Sequence, residues 1–492
     1  MPDPDREREQ GQENGKNEPK KKKRRRINRE YTLVAVFFLL IFFSLAGYLV
    51  YFQLNVAQDF INSPYNTRQD TFTEQVIRGN IVSADGETLA YTNLYEDGTQ
   101  ERIYPYGRMF AHVIGYDSNG KSGLESEANF LLLSSHNFFV EQLKNQFRGN
   151  KNTGDTVRTS LDTTLQAAAY NALGDRRGAI IAIEPKTGRI ICEVSKPDFD
   201  PNDIVYNYDY IIGDENDSSL LNRTTDGAYP PGSTFKVVDV LNYYRQKGTL
   251  DGYHYICEGS ITQDGHTLQC YDGTVHGEED MYSAFAQSCN CAFAQIGVML
   301  GAPSMISTAE DLLFNKKLPF SSYRSSTFPL SKNASVAQLM QTAIGQGDTL
   351  VSPAHLALIT CAIANQGKVM MPTLIDEVVS ASGDLVKKTS PSLWKQLITE
   401  KEAAVMGEMM ENVVTSGTGY GLSYGEYTAA GKTGSAEFNE DGSSHSWFIG
   451  YCNVDDPELV VSVIVENGGT GSESAVPIAA EIFDSWYYYV KP

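Results

Sequence analysis

A serine three residues ahead of a lysine is the smallest arrangement that puts a nucleophile beside its own base, and this chain holds it at Ser118, Ser233 and Ser392. Only Ser233 stands in a stretch built to use it. In YPPGSTFK, residues 229–236, two prolines and a glycine stop whatever precedes, and apolar positions follow at Val237, Val238, Leu241 and Tyr244. That spacing predicts a helix starting at Ser233. Free backbone NH groups and the positive end of the helix dipole are available there to stabilise a developing anion. Lys236 comes up one turn later on the same face, close enough to take the serine proton if its own charge is suppressed.

Such a serine needs partners, and short patterns that would supply them recur. Ser-x-Asn occurs at Ser135, Ser288 and Ser331, and Lys-Ser/Thr-Gly at Lys121, Lys186 and Lys432. Context sorts them. Ser118 and Lys121 share an Asn-Gly turn, and Lys186-Thr187-Gly188 lies in a Pro/Gly turn between two apolar runs, so both read as solvated loop residues. Ser288-Cys289-Asn290 interrupts the alanine-rich stretch AFAQSCNCAFAQIG, read here as helical, where two polar side chains need a reason. Lys432-Thr433-Gly434 lies in AAGKTGSAEF, followed after a loop by the strand pattern SWFIGY.

The elements that must hold these residues can be sketched from periodicity. A Ser/Asp cap at Ser160-Leu161-Asp162 precedes apolar positions Leu165, Ala168, Ala169 and Ala172 at helical spacing. GAIIAIEPKTGRIICEV gives a strand, a turn and a second strand. Near the C-terminus, residues 447–452 and 459–465 form a matching strand pair, and a final helix is expected over 475–487. Strands at both ends of the region, with helical segments between, predict an α+β fold: one antiparallel sheet assembled from distant sequence around a helical insertion. Residues between about 54 and 157 are rich in turn formers and suggest a small mixed domain.

At 492 residues, with 41% hydrophobic and 21% charged side chains, the chain is too long for a disulfide-stapled scaffold and too apolar for wholesale disorder. Eleven of its 40 basic and seven of its 61 acidic residues fall in the first 30 positions, leaving 29 against 54 in the remainder. So acidic a bulk argues against nucleic acid as a partner. Residues 31–52 are an uncharged apolar run preceded by seven consecutive basic residues, Lys20 to Arg26. The run is long enough to span roughly 30 Å of hydrocarbon, and the basic cluster places the first 30 residues in the cytoplasm and the remainder outside. A signal peptide would have an apolar core of about 7 to 15 residues and a small-x-small cleavage site, so a retained anchor is expected.

Seven cysteines are too few and too scattered for a disulfide framework. Cys257 and Cys270 are the one suggestive pair, and an exported location makes a disulfide between them a candidate, with two reduced thiols the alternative. His254, His266 and His276 lie nearby, but no CxxC or HxxxH spacing supports a zinc site. Cys289 and Cys291 would point apart if their segment is helical.

Taken in order, Ser233 to Lys236, Ser288 to Asn290 and Lys432 to Gly434 form one constellation, which resembles that of penicillin-binding proteins and serine β-lactamases. YPPGSTFK, SCNCAF, IGQGDTLVSP, AGKTGSAE, the upstream RGNIVSADGETLA and SLDTTLQ are together similar to the class B penicillin-binding proteins, monofunctional peptidoglycan D,D-transpeptidases, over about residues 54 to 492. The region before Ser160 is short for that group. No C-terminal PASTA repeat is seen, and the short-pedestal forms of Gram-positive bacteria look nearest. The organisation the resemblance implies is a cytoplasmic basic tail over 1–30, a transmembrane anchor over 31–53, a membrane-proximal pedestal over 54–157 and a transpeptidase domain over 158–492.

The resemblance also implies roles. Ser233 would attack the carbonyl between the last two D-alanines of a peptidoglycan stem peptide, and a β-lactam would acylate the same serine. Lys236 would accept its proton, Ser288 would relay protons, and Asn290 would hold Lys236 and the substrate amide. Lys432 would supply positive charge, Thr433 would bind the substrate carboxylate within the Lys432-Thr433-Gly434 strand, and the NH groups of Ser233 and Ser435 would form the oxyanion hole. No metal or organic cofactor is implied. The expected partners are a SEDS-family glycosyltransferase and other wall-synthesis membrane proteins. Two alternatives stay open: a hydrolytic D,D-carboxypeptidase or β-lactamase, for which Glu310 to Asn315 only approximates the ExxLN pattern, and a non-catalytic β-lactam sensor or scaffold.

Overall fold

The computed structural model describes residues 29–55, 76–136, 145, 147, 151–437 and 444–491; the basic tail expected over 1–30 lies almost wholly outside them. Two units are distinct, Met1–Ile61 and Asn62–Pro492. The described part of the first is the helix Arg29–Asn55, whose apolar window Tyr31–Phe52 is the one candidate membrane span of full length among the described residues. At 27 residues the helix is about 40 Å long, enough to cross a bilayer.

In the second unit a five-stranded sheet runs Ala429–Glu437, Ser444–Cys452, Leu459–Val465, Gly178–Ile183, Ile190–Lys196, with every neighbouring pair antiparallel. Three of its strands thus come from the last 65 residues and two from 250 residues earlier, as the α+β reading anticipated. Side chains alternate between two cores, as the two-residue period of a strand requires. Ile180, Ala182, Val461 and Val463 face Leu165, Ala169 and Leu173 of the helix Thr163–Leu173 and Ile478 and Ile482 of the helix Val476–Ser485. Ala179, Ile181, Val460 and Ile464 face the larger core, with Val237, Phe285, Phe293, Leu356 and Met410. Both faces are covered, which is why GAIIAI and LVVSVIV are buried at every position. Each fully buried Leu, Ile or Phe contributes about 1.5 to 3 kcal/mol relative to exposure.

The helices begin where their caps say they should. Asp162 accepts from the Leu165 NH at 2.9 Å, and Ser352 caps the helix Pro353–Ala364, which is buried along its whole length. The final helix covers Val476–Ser485, within the expected 475–487.

A second, six-stranded sheet carries most of the short strands between residues 81 and 159. Its order is Leu385–Lys388, Ile375–Val379, Thr156–Thr159, Ile81–Val82, Thr88–Leu94, Gln100–Ile103. Pairing between Ile375–Val379 and Thr156–Thr159 joins segments that are far apart in sequence, Ile375 lying opposite Thr159, which no local pattern announced. Nearby, Arg78 and Arg102 both donate to the buried Glu125. Burial alone would push that carboxyl up, but the two guanidiniums hold it below its usual value.

Candidate active site

Ser233 lies half-buried in a tight 3-10 turn, Gly232–Phe235, that runs directly into the helix Lys236–Lys247. The turn is held from three sides. The Gly232 NH donates to the Gly345 carbonyl at 2.9 Å, Tyr229 exchanges two backbone hydrogen bonds with Val351, and the Trp447 indole NH donates to the Pro230 carbonyl at 3.0 Å. Glu466, at the end of the strand Leu459–Val465, accepts from the Tyr229 hydroxyl and from Arg223 and Arg177. None of Gly345, Trp447 or Glu466 is singled out by sequence reasoning about nucleophiles. The available signal was the IGQG glycine pair and a carboxylate ending an otherwise apolar strand.

Lys236 is fully buried, and its Nζ lies 2.8 Å from the Ser288 carbonyl, 2.8 Å from Asn290 Oδ1 and 3.1 Å from Ser288 Oγ. Lys432, equally buried, approaches the same Ser288 Oγ at 3.0 Å and donates to the Thr433 carbonyl at 3.0 Å. One hydroxyl therefore bridges two amines. The Phe293 and Phe285 rings lie 5.2 Å and 5.4 Å from the two Nζ atoms. The nearest acid along the helix, Asp239, is buried with no hydrogen-bond partner, and burial drives its carboxyl far above the usual range. With no carboxylate in contact, burial lowers the Lys236 ammonium to about 8, against which nearby thiols act weakly. Burial, reinforced by Lys236 itself, depresses Lys432 further. The suppression of charge that a base at Lys236 requires thus comes chiefly from burial.

A neutral Lys236 fits its surroundings. Two N–H bonds meet two obligate acceptors, the Ser288 carbonyl and Asn290 Oδ1, and the lone pair is left for a hydroxyl proton.

The edge strand Ala429–Glu437 runs beside this turn. Lys432, Thr433 and Gly434 pair with Ile449, Phe448 and Trp447, and Ser435 with Ser446. A Cβ on Gly434 would stand 3.0 Å from Thr234 and 3.1 Å from the Pro231 carbonyl, so the missing side chain is what lets strand and turn approach. Thr433 Oγ1 shares a short hydrogen bond with Thr418, a partner the sequence did not flag, and Ser435 Oγ accepts from the Gly471 NH at 3.2 Å.

Two local readings are corrected. Ser288 and Cys289 are not inside a helix: the helix Met281–Ala286 ends before them, Asn290–Leu300 begins after them, and Ser288 has φ +58°. A left-handed serine turns its carbonyl and hydroxyl together onto Lys236, which a helical residue would not do. Of the two readings of Cys257 and Cys270, the structure has the reduced thiols and not the candidate disulfide. The two sulfurs lie 3.7 Å apart, far beyond a bond of about 2.05 Å, and all seven cysteines are free. Because Cys289 is extended rather than helical, Cys289 and Cys291 do not diverge; both reach Cys270, at 3.7 Å and 3.4 Å.

The decoy patterns fall outside. Ser118 and Lys121 form a turn, Ser392 is exposed, and Lys186-Thr187-Gly188 is the hairpin turn between Gly178–Ile183 and Ile190–Lys196.

A serine at a helix start, with two buried amines joined through a second serine and an edge strand alongside, defines a site for acyl transfer. Comparison with known proteins agrees. Residues 178–484 match the family model described as penicillin binding protein transpeptidase domain, and residues 78–157 match that of the penicillin binding protein A dimerisation domain. The chain is 30% identical to the peptidoglycan D,D-transpeptidase PbpA of Mycolicibacterium smegmatis, covering 92% of this chain and 97% of that one. It is also 30% identical to the peptidoglycan D,D-transpeptidase MrdA of Acinetobacter baumannii over 78% of its length, spanning 66% of that longer relative. Penicillin-binding protein A from M. tuberculosis, solved as a penicillin G acyl-enzyme complex, superposes with a TM-score of 0.75 at 28% identity, covering 83% of this chain and 99% of that one. The chain belongs to the penicillin-binding protein transpeptidase family, as a class B peptidoglycan D,D-transpeptidase.

Proposed function

We propose that cross-linking proceeds through an ester on Ser233. Ser233 Oγ attacks the carbonyl between the two terminal D-alanines of a stem peptide while its proton passes to the neutral Lys236 amine. Collapse of the tetrahedral adduct expels the terminal D-alanine, which takes up a proton through Ser288. The amine of a neighbouring stem then attacks the ester, gives up its proton by the same route and regenerates the serine. Asn290 fixes Lys236 and the substrate amide, Lys432 and Thr433 receive the substrate carboxylate, and the Ser233 and Ser435 NH groups hold the oxyanion. A β-lactam follows the first step and stops at the ester. The observation that carries the assignment is the Ser288 hydroxyl shared between the buried amines of Lys236 and Lys432.

The test is labelling of the full-length protein with fluorescent penicillin, followed by peptide mapping. A stable adduct on Ser233, absent in Ser233→Ala with activity down by about 10³ to 10⁶, is the expected result. Rapid turnover of the label would favour a hydrolase, and label on Ser118 or Ser392 would overturn the assignment.

The seven basic residues ahead of the anchor support an N-in, C-out topology in a bacterial cell membrane, with residues beyond about 53 outside. The 54–157 and 158–492 segments then act as pedestal and catalytic domain. A transpeptidase of this kind uses strands made elsewhere, and a SEDS-family glycosyltransferase contacting the anchor is the expected supplier. Ser44, Ala46 and Gly47 offer a small-residue patch for close helix approach. Exchanging the anchor for an unrelated helix of equal length should preserve penicillin labelling and abolish function in cells; growth with the exchanged helix would reduce the anchor to a tether.

A further inference from the structure

Four side chains from separate elements converge behind the Ser288–Asn290 loop. Cys257 ends the strand Tyr255–Cys257, Cys270 follows His266–Gln269, His276 precedes Gly277–Glu279, and Cys289 caps the helix Asn290–Leu300. Their Sγ and ring nitrogen atoms all lie within 4.8 Å of one another, and the three cysteines are buried. Three separations have direct chemical meaning. Cys257 and Cys270 Sγ are 3.7 Å apart, Cys270 and Cys289 Sγ are 3.7 Å apart, and Cys257 Sγ is 3.4 Å from His276 Nδ1. Thiolates at about 2.3 Å from a tetrahedral centre stand about 3.8 Å from each other, and a thiolate and an imidazole nitrogen slightly closer.

Two further observations point the same way. The Ala292 NH, at the open end of its helix, lies 3.4 Å from Cys289 Sγ, so the sulfur accepts a backbone hydrogen bond that holds it at the meeting point of the four side chains. The 254–279 segment consists of strands of three or four residues with few buried side chains besides Ile261, Leu268 and the cysteines themselves. Such a piece lacks a core of its own and needs a staple.

We propose that Cys257, Cys270, Cys289 and His276 Nδ1 hold a structural Zn²⁺ ion that fastens the 254–279 segment to the loop carrying Ser288 and Asn290. Three thiols lose their protons to solvent as the ion binds, and the neutral imidazole supplies the fourth donor. The absence of CxxC or HxxxH spacing concealed the site, since its ligands are separated by 13, 6 and 13 positions and meet only in the fold. Cys291 lies 3.4 Å from Cys270 but outside the four-donor set. Because Cys289 sits between Ser288 and Asn290, the ion fixes the strained turn that faces Lys236.

The experiment is metal analysis of the full-length protein purified in detergent, with X-ray absorption at the zinc edge. One zinc per chain in a shell of three sulfurs and one nitrogen is expected. Metal should be lost in Cys270→Ser and His276→Ala and retained in Cys291→Ser. Chelation should lower the melting temperature and slow fluorescent-penicillin acylation by about 10 to 100-fold through misplacement of the loop, with both restored by added Zn²⁺. The chelation experiment uses the unaltered chain, so it stands even where a variant fails to fold. A metal-free protein with a disulfide among these cysteines on non-reducing mass mapping would overturn the proposal, as would metal retained at full stoichiometry in Cys270→Ser or lost in Cys291→Ser.

Discussion

Lys186-Thr187-Gly188 and Lys432-Thr433-Gly434 are the same three residues placed on opposite sides of one five-stranded sheet. The first is a hairpin turn. Lys186 is about half exposed and pairs with the exposed Asp456, Thr187 donates to Glu184 at 2.7 Å, and Gly188 takes φ +81°. The second is nearly straight backbone on the other edge strand, with Lys432 at 0% exposure and its amine on Ser288. Composition is identical, so the difference in chemistry belongs to burial and register. An ammonium in water keeps its ordinary hold on the proton, whereas burial beside Phe285, Ser288 and a second lysine weakens that hold well below the usual value.

The largest effect should come from breaking the buried triplet. Lys432→Ala removes one of the two amines on Ser288 Oγ and is expected to slow penicillin acylation by about 10² to 10⁴, the range of a lost acid–base partner. Lys432→Arg should not restore it, because the fully enclosed site does not admit the larger, planar head. Stopped-flow labelling of the two variants gives the comparison; an active Arg variant would mean that Lys432 contributes charge alone.

The second effect is in pH. If Lys236 must be neutral to act, acylation should fall about tenfold for each unit below its depressed value of about 8 and level off above it. Lys236→Arg should be as damaging as Lys236→Ala at every pH. The linkage to stability has a definite sign. Between about pH 8 and the ordinary value of 10.5 the unfolded chain holds the proton and the folded chain does not, so this group's contribution to stability rises with pH across that window. A flat acylation profile between pH 6 and 8 would remove Lys236 as the base.

How much of this was legible depended on the reach of the signal. The apolar N-terminal helix, the capped helix after Asp162 and the strands GAIIAI and LVVSVIV are written in local periodicity, and the structure returns them with boundaries moved by a residue or two. The three motifs could be chosen from nine candidates because their neighbours differ: prolines ahead of Ser233, alanines around Ser288, a strand around Lys432. Where the reading failed, the determinant was non-local. Ser288 leaves the helix because its turn must face Lys236, 52 residues away, and alanine content says nothing of that. The pairing of Ile375–Val379 with Thr156–Thr159 and the convergence of Cys257, Cys270, His276 and Cys289 likewise depend on the finished fold.

The glycines sharpen the contrast with a smaller effect. Gly434 is needed for approach, since a methyl there meets Thr234 Cγ2 and Trp447 Cβ at 3.0 Å and the Pro231 carbonyl at 3.1 Å, so strand and turn would have to part by a few tenths of an ångström. Gly188 is needed for its left-handed backbone, and a methyl would also stand 2.3 Å from the Met371 carbonyl. Gly434→Ala should therefore slow acylation several-fold with little change in melting temperature. Gly188→Ala should cost about 1 to 3 kcal/mol of stability and leave acylation by the folded fraction unchanged. Thermal melts alongside labelling separate the two, and the reverse pattern would mean that Gly434 serves the sheet rather than the site.

The smallest effect belongs to Lys186 and completes the comparison. Its ion pair with Asp456 is exposed on both sides, where water screens the attraction and two flexible side chains must be ordered to make it. Lys186→Ala should change stability by no more than about 0.5 kcal/mol and acylation by less than twofold. Beside a loss of at least about a hundredfold in Lys432→Ala, that result would assign the difference between two identical tripeptides to the environment the sheet gives each. A comparable loss in Lys186→Ala would instead mean that the Glu184 to Gly188 turn transmits to the site through the strands it joins. The route is physically short, since Gly178–Ile183 pairs directly with Leu459–Val465, whose end carries Glu466 against Tyr229 and Arg223. Labelling of Lys186→Ala at matched folded fraction decides between a solvated turn and a lever on the nucleophile.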